Sequence, residues 1–234
     1  QSRGRPIVNL LPLGPDEKIS AILPVSEFDH NHFVFMVTAK GTVKKVALSD
    51  FSKPRSNGKI ALELMEGDSL VGVDLTDGER DIMLVADSGK AIRFHESTVR
   101  PMGRTAKGVK GIQIGDDQNV IALIIVNENG TLLTATENGY GQRTALESYR
   151  PIGRGGQGVR AIQVSTRNGK VVAADQVQEN DELLMISDRG TMVRICVDEI
   201  SVIGRNTQGV RLIQLSAGEQ LVGLEAFRVM SEED

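Results

Sequence analysis

The sequence predicts an all-β fold of four-stranded blades that repeat about every 50 residues. Two series of glycines have this period. The first is Gly58, Gly108, Gly158 and Gly209, and the second is Gly41, Gly89, Gly139 and Gly190. No segment combines a sustained 3.6-residue apolar period with helix caps, so little helix is expected. Because two independent landmarks share one period, we interpret the chain as a repeat protein.

The unit spanning residues 116–168 illustrates the strands of each repeat. NVIALIIV and GTLLTATE predict two apolar strands, and ENGY predicts a tight hairpin turn, because Asn-Gly accepts positive φ angles. YGQRTAL predicts a third strand, and VRAIQV, after a polar link, predicts a fourth. Short helical turns are possible at FHESTVR, residues 94–100, and at CVDEISV, residues 196–202.

Four full units are expected, flanked by two partial ones. The full units span residues 14–66, 67–115, 116–168 and 169–217, and the partial units span residues 1–13 and 218–234. A single four-stranded unit cannot bury its own faces, whereas radial packing lets each unit cover the next. We therefore predict one propeller-like domain over residues 1–234. Both ends resemble cut points, and residues 231–234 are typical of the start of an acidic tail.

The composition limits the possible functions. Hydrophobic residues make up 40% of the 234 residues, enough for a core, but aromatic residues only 3%. A net charge of −4 argues against a uniformly basic nucleic-acid binder. The single cysteine, Cys196, excludes a disulfide within the chain, and a buried position on a strand is expected for it. No signal peptide or membrane-length apolar run is apparent, so a cytoplasmic protein is expected.

The charges are sorted by position within the repeat. One set of basic residues lies four positions after the glycines of the second series. Two further sets lie four positions before and two positions after the glycines of the first series. Acidic residues gather around the loop between the first two strands. The basic set is Lys45, Arg93, Arg143 and Arg194, then Arg104, Arg154 and Arg205, then Lys110, Arg160 and Arg211, with Arg55 and Lys107 close to the same positions. The acidic set is Glu79, Asp81, Glu128, Glu179, Asp181 and Glu182.

A periodic band of positive charge suits the phosphate backbone of nucleic acid, whose contacts carry no sequence information. The glycines would let the main chain approach closely and would leave N–H groups free for phosphate oxygens. The alternative is purely structural, because basic residues also protect strand edges from pairing and glycine-rich turns often only turn the chain.

Four segments carry a resemblance to a known family. They are PIVNLLPLGPDEKISAILPV from residue 6, GTVKKVAL from residue 41, TATENGYGQRTA from residue 134 and EISVIGRNTQGVRLIQL from residue 199. Together they resemble the C-terminal domain of DNA gyrase A subunits, over nearly the whole chain. The related domain of topoisomerase IV, with degenerate repeats and a less regular basic set, is the alternative.

The resemblance implies a β-pinwheel, in which neighbouring blades exchange strands. It implies that the twelve basic residues above bind duplex DNA and bend it around a basic rim, with little sequence specificity. Its partners would be the rest of the gyrase A subunit, together with the gyrase B subunit, in an ATP-dependent enzyme that introduces negative supercoils. The domain itself would have no catalytic residue and no cofactor. The family's gyrase box, Gln-Arg-Arg-Gly-Gly-basic-Gly, has only a partial counterpart at residues 154–158.

Other functions have less support in the sequence. The glycine turns lack the Gly-Lys-Ser/Thr ending of a phosphate loop and precede strands rather than helices. His30 and His32 have no further His or Cys nearby, so a solvated loop is expected rather than a metal site. Tyr140, which follows Asn-Gly, is expected to pack on its turn. Few aromatic residues argue against single-strand binding. A propeller-like protein-interaction scaffold is the rival hypothesis, ahead of an independent enzyme.

Overall fold

The computed structural model describes residues 13, 17–53, 55, 58–127 and 129–228, and in them the chain is all-β. Its fifteen strands are β1 Phe33–Thr38, β2 Thr42–Ala47, β3 Leu70–Thr76, β4 Asp81–Ala86, β5 Lys90–His95, β6 Val109–Lys110, β7 Val120–Val126, β8 Thr131–Thr136, β9 Tyr140–Ala145, β10 Val159–Arg160, β11 Val171–Val177, β12 Asp181–Ser187, β13 Met192–Cys196, β14 Val210–Arg211 and β15 Leu221–Arg228. Four short 3-10 turns follow the hairpins, at Leu48–Phe51, Glu96–Thr98, Leu146–Ser148 and Val197–Glu199. The all-β prediction is confirmed, and two of these turns lie where the sequence indicated them.

The strands form four antiparallel sheets, which we call blades 1 to 4. Their strand orders are β3-β1-β2-β6, β7-β4-β5-β10, β11-β8-β9-β14 and β15-β12-β13. Each blade centres on a hairpin whose turn contains a glycine of the second series. Its other strands come from the next unit of the chain. The first strand of that unit pairs with one strand of the hairpin, and in blades 1 to 3 its last strand pairs with the other.

This pairing is an exchange of strands between repeats. The register aligns Thr42 with Lys110, Ala91 with Val159 and Gly141 with Val210. Each repeat predicted from the sequence therefore begins with a strand that belongs to the preceding blade. No blade is made of one repeat alone. The fragment after residue 217 contributes β15, which pairs with β12 as the first strand of a further unit would. The fragment at residues 1–12 lies outside the described residues.

The hydrophobic core is divided among the joints between neighbouring blades. Phe35 and Val43 of blade 1 cluster with Ile82 and Phe94 of blade 2. Separate clusters join blade 2 to blade 3 and blade 3 to blade 4, through residues such as Leu132 and Leu183. The edge strands β3, β7, β11 and β15 also contact one another in series. Each blade is thus stable only through its neighbours, as expected for a repeat protein.

Glycine is required where the exchanged strands meet the hairpins. Gly89 has a φ of +80°, and a Cβ there would lie 2.3 Å from the carbonyl oxygen of Ile162. Gly158 has a φ of +68°, and its Cβ would lie 2.4 Å from the carbonyl oxygen of Ala91. All eight glycines of the two series have a positive φ, and at every one of them except Gly58 and Gly190 a Cβ would come within 3 Å of a carbonyl oxygen.

The sequence-based placement of Cys196 was wrong. The residue is exposed at the end of β13, where burial alternates along the strand. In the part of the chain that the structure describes, β13 has no fourth strand beside it. Without that cover, every second side chain on this edge faces solvent.

Candidate nucleic-acid interface

Three glycine-rich loops lie along the edges of the blades and form the candidate interface. They comprise residues 103–111, 153–161 and 204–212, and we call them together the basic band. Backbone hydrogen bonds fix the start of each loop against the preceding blade. Met102 N–H donates to the Lys45 carbonyl at 2.9 Å, and Ile152 N–H donates to the Arg93 carbonyl at 2.8 Å. Each loop then ends in the short strand exchanged into that blade.

The three loops contact one another directly. Gly155 N–H donates to the Gly111 carbonyl at 2.6 Å, which joins the first loop to the second. Asn206 N–H donates to the Ala161 carbonyl at 2.8 Å, which joins the second loop to the third. The segments contain no acidic residue. Positions about 50 residues apart in sequence thus form one continuous basic surface.

One arginine in each loop repeats the same contact. Arg104 donates to the Ile60 carbonyl at 2.9 Å, Arg154 to the Lys110 carbonyl at 3.1 Å and Arg205 to the Arg160 carbonyl at 3.3 Å. All three side chains are half-buried. Because each accepting carbonyl belongs to the equivalent residue of the preceding repeat, these arginines set the spacing of the band. A guanidinium has five N–H donors, so each retains donors for a ligand.

The remaining cations of the band are exposed. They are Lys107, Lys110, Arg160 and Arg211. Lys107 Nζ lies 3.9 Å from a carboxylate oxygen of Glu63, but both side chains are more than half exposed, so the pair is weak. Arg55 is also exposed, beside residues that lie outside the described chain. The band therefore contains seven of the twelve basic residues selected from the sequence.

Two buried polar side chains hold the loops in place, and neither was predicted from the sequence. Lys44 Nζ donates to the Ala61 carbonyl at 2.9 Å and to the Arg104 carbonyl. Gln142 Nε2 donates to the Ala161 carbonyl at 2.8 Å. Burial, and then the charge of Arg104, lower the pKa of Lys44. Both residues lie three positions after a glycine of the second series. A polar residue at this position of a strand is the sequence feature that could have identified them.

Tyr140 extends the band at its third loop. Its hydroxyl accepts a 3.0 Å hydrogen bond from Arg211, and the guanidinium of Arg167 lies 4.3 Å from its ring centre. The hydrogen bond from Arg211, followed by the influence of Arg167, lowers the pKa of Tyr140. Tyr140 thus orients two exposed cations. Arg167, like the exposed Arg100 and Arg150, is a basic residue that the sequence-based set omitted.

The other repeated basic positions lie apart from the band, within the blades. We call Lys45, Arg93, Arg143 and Arg194 the strand cations. Nζ of the buried Lys45 lies 3.4 Å from Oε2 of Glu96. Nε and Nη2 of Arg93 each lie 2.8 Å from Oδ2 of Asp81. Arg194 pairs with Glu182, and Arg143 is buried. Burial and pairing take Lys45, Arg93 and Arg143 away from the solvent-facing surface, whereas the Arg194 side chain is 61% exposed and its place in the DNA-binding set stays a prediction.

Internal bonds also use some of the loop N–H groups that were expected to be free. Gly155 N–H bonds to Gly111, as described above, and Gly209 N–H donates to the Thr207 hydroxyl at 3.0 Å. The band therefore relies on side-chain cations more than on a backbone nest. Of the acidic set, Asp81 and Glu182 pair with strand cations and Asp181 is buried, while Glu128 lies outside the described residues.

The described residues contain no cluster of three or more His, Cys, Asp or Glu that could hold a metal ion. His30 and His32 are exposed, and His32 pairs with Asp29 at 2.6 Å. In the same part of the chain, no helix is long and apolar enough to cross a membrane.

Known proteins share both the sequence and the repeat pattern of this chain. The family described as "DNA gyrase C-terminal domain, beta-propeller" matches residues 32–77, 80–127, 130–178 and 181–228. Each match spans three strands of one blade, and the last three matches also contain the short strand that is exchanged into the preceding blade. The DNA gyrase A subunit of Salmonella typhimurium is 55% identical over 96% of this chain, and that of Escherichia coli K12 is 52% identical over all of it. The chain spans 26% and 27% of those two relatives.

Two solved structures share the fold. A structure of a DNA gyrase A C-terminal domain aligns with a TM-score of 0.85 and 26% identity, covering 97% of this chain and 76% of that one. The C-terminal domain of a DNA topoisomerase IV aligns with a TM-score of 0.90 and 24% identity, over 96% of this chain and 71% of that one. At that identity the second comparison supports the fold alone.

Proposed function

The chain belongs to the family of DNA gyrase C-terminal domains, and from this premise we propose that it binds duplex DNA and bends it along the basic band. The observation that carries the proposal is the direct joining of three acid-free basic loops into one surface. Phosphate contacts by lysine and arginine release counterions and require no particular base sequence.

A series of contacts is needed because duplex DNA is stiff. Smooth bending of 20–30 base pairs by 40–90° costs on the order of 1–6 kcal/mol. One exposed ion pair contributes at most about 1 kcal/mol, so a single loop could not offset the bend. Successive loops fixed at a regular spacing by Arg104, Arg154 and Arg205 provide the required number of contacts.

Within a larger enzyme, we propose that the bent DNA is presented to the cleavage core of the gyrase A subunit, with the gyrase B subunit supplying ATP-driven steps. The domain itself would contribute no catalytic group and no cofactor, and it would act in the cytoplasm. The bend would give the passed segment a fixed handedness, so that strand passage introduces negative supercoils.

The rival proposal of a protein-interaction scaffold rests on exposed apolar residues. Ile152, Val159, Val202 and Val210 are between 37% and 46% exposed. Two of them, Val159 and Val210, belong to the basic loops, and Ile152 and Val202 stand just before those loops. The place of these four beside cations fits contact with deoxyribose between phosphates, whereas Ile186, Met192 and Val222 of blade 4, which are 38–57% exposed, are apolar residues that remain for the rival proposal.

The test is duplex affinity across a salt series with the chain as it stands. If each of the seven band cations neutralises one phosphate, the slope of log affinity against log salt is about −6. The triple variant Lys110→Ala, Arg160→Ala, Arg211→Ala should make the slope shallower by about 3 for every sequence tested. The backbone carbonyls that accept from Arg154 and Arg205 remain in this variant, so the band keeps its spacing.

The matched control is Arg228→Ala, which removes an exposed cation from β15, opposite Asp181 and outside the band. It should leave the slope close to that of the parent chain. An unchanged slope in the triple variant, with its melting temperature preserved, would remove the band from the DNA-binding surface.

A further inference from the structure

Arg143 is a buried cation with unused donors. Its side chain is 4% exposed, and among the described residues its Nε and Nη1 atoms have no hydrogen-bond partner. An enclosed guanidinium that lacks partners is unfavourable, and such groups are rare in folded proteins. The position therefore requires an explanation that packing alone does not supply.

The other strand cations show what is missing. Arg93 pairs with Asp81, Arg194 with Glu182 and Lys45 with Glu96. Asp81 pairs in register with His95, which lies two residues after Arg93. Glu182 pairs in register with Cys196, which lies two residues after Arg194. In blade 3 the corresponding residue, opposite Ala145, is Thr131.

Thr131 cannot replace the carboxylate. Its hydroxyl is 3.5 Å from the Val177 carbonyl and donates to it. Arg93 also donates to the Leu146 carbonyl of the next blade at 3.2 Å, whereas the Nε and Nη1 donors of Arg143 reach no such acceptor. Blade 3 therefore keeps the cation of its neighbours without the anion.

A groove of about 380 Å³ borders the Arg143 side chain, whose Nε and Nη1 atoms, unpartnered among the described residues, lie beneath the groove surface. It is lined by Asn129, Gly130, Thr131, Arg143 and residues 177–180. In blade 2 the equivalent groove contains both Asp81 and Arg93, so its cation is already neutralised. In blade 3 the groove has Thr131, and not a carboxylate, at this position.

We propose that the groove beside Arg143 and Thr131 binds a carboxylate ligand, which takes the place of the missing acidic residue. A carboxylate oxygen can accept from guanidinium donors, as Oδ2 of Asp81 accepts from Nε and Nη2 of Arg93. The amides of Asn129, Gln178 and Asn180 line the same groove and offer further donors.

The exposed Glu179 at the groove limits the ligand's charge. A dianion such as phosphate would be repelled by this carboxylate, whereas a monocarboxylate pairs with Arg143 and leaves one net negative charge at the groove. A small monocarboxylate is thus the favoured class, and it needs no contact with the basic band.

The test titrates acetate against the 234-residue chain and follows the ¹⁵N–¹H signal of the Arg143 Nε group. The signal is assigned by its loss in Arg143→Lys. Chloride at equal ionic strength and inorganic phosphate are titrated in parallel. Acetate should shift this signal and raise the melting temperature, and chloride should do neither. A response to phosphate that exceeds the response to acetate would overturn the carboxylate assignment.

Two variants at one position separate the proposal from a general salt effect. Thr131→Asp supplies the carboxylate, so it should raise the melting temperature and weaken acetate binding at least tenfold. Thr131→Asn is similar in size without the charge and should still bind acetate. Equal acetate responses in the parent chain and Thr131→Asp would overturn the proposal.

Glu179→Gln tests whether the chain supplies its own anion. If Glu179 turns toward Arg143 in solution, the parent chain will not bind acetate and Glu179→Gln will bind it. That result would replace the ligand by an internal ion pair. Acetate binding by both proteins would support the proposed site.

Discussion

Basic residues that repeat with one period have two different roles at the scale of single side chains. Lys110 is exposed in the basic band, whereas Lys45 is enclosed with Glu96. Glu96 is fully buried, and besides Lys45 it accepts hydrogen bonds from the Thr76 hydroxyl and from the N–H groups of Gly78 and Arg80. The Lys45–Glu96 pair therefore organises a joint between blades, and Lys110 is available to a ligand.

This difference predicts opposite effects for one substitution at the two sites. Lys45→Met leaves the Glu96 charge buried and unpaired, which should lower the free energy of unfolding by about 3–5 kcal/mol. Lys110→Met should leave stability nearly unchanged and make the salt slope of DNA binding shallower by about 1. Thermal melting and a salt series on both variants check this. A shallower slope for folded Lys45→Met would return Lys45 to the DNA-binding set.

A second prediction at this scale concerns Glu219. Hydrogen bonds from the hydroxyls of Ser187 and Thr191 and from Ser216 N–H lower its pKa from 4.5 to about 2. Because the folded-state pKa is below the unfolded value, this stabilisation is complete above pH 4.5 and is lost as the pH falls toward 2. Glu219→Gln should therefore melt below the parent chain at neutral pH, and the difference should shrink over that interval.

The control for Glu219 is Glu147→Gln, which changes an exposed carboxylate. Its melting temperature should follow that of the parent chain across the same pH range. A constant difference between Glu219→Gln and the parent down to about pH 2 would contradict the role given to Glu219.

Residue roles were the least predictable part of the site. The period located Arg104, Arg154 and Arg205, which lie in the band. It also selected the strand cations, because a repeat shows that a position is constrained without showing whether it faces solvent. The acid that neutralises Lys45 lies 51 residues later, in a turn of the next blade, and local spacing could not indicate it.

At the scale of elements, the loops depend on where the backbone has room. Gly158 lies in the left-handed region against Ala91, whereas a Cβ at Gly153, which starts the same loop, would have no atom within 4 Å. The exchanged strand β10 follows Gly158 directly and pairs with β5. The geometry of the second loop therefore depends on one glycine and not on the other.

Gly158→Ala should destabilise the chain by more than about 1 kcal/mol, since the new methyl group meets a carbonyl oxygen and φ is positive. Gly153→Ala is the matched control and should be nearly neutral. Thermal melting compares the two variants. Equal melting temperatures would show that the close contact with Ala91 is not a constraint.

Strands and turns were largely predictable from the sequence, but their partners were not. Short apolar runs and the recurring glycine turns, such as Asn-Gly at residues 138–139, located the hairpins. The pairing of β6 with β2 joins segments more than 60 residues apart in sequence, and only the three-dimensional packing determines it. The same limit explains the error at Cys196, whose exposure depends on which strand lies beside β13.

At the scale of the whole molecule, the proposed function requires the loops to act together. Three clusters of core residues join the four blades in series, so the basic loops are held on one body of packed sheets. DNA that follows successive loops must follow the arrangement of those blades. Bending is then a property of the assembled chain and not of any one blade.

Bending along the assembled band should change plasmid topology. A nicked circular plasmid, ligated in the presence of the chain at low salt, should retain a shifted linking number after the protein is removed. The triple variant Lys110→Ala, Arg160→Ala, Arg211→Ala should give a smaller shift, and Arg228→Ala should match the parent. Gel electrophoresis of the ligated plasmid measures it. Tight DNA binding without any shift would mean that the chain binds DNA but does not wrap it.

The exchange of strands also constrains the order in which the protein can be made. Blade 1 has its hairpin by residue 47, yet its last strand, β6, ends at Lys110. At a synthesis rate of about 5–20 residues per second, the ribosome needs roughly 3–13 s to deliver that strand. During that time the outer edge of β2 is an open template for any nascent chain nearby. Each new repeat then closes the one before it, and the most recently made blade is always the unfinished one.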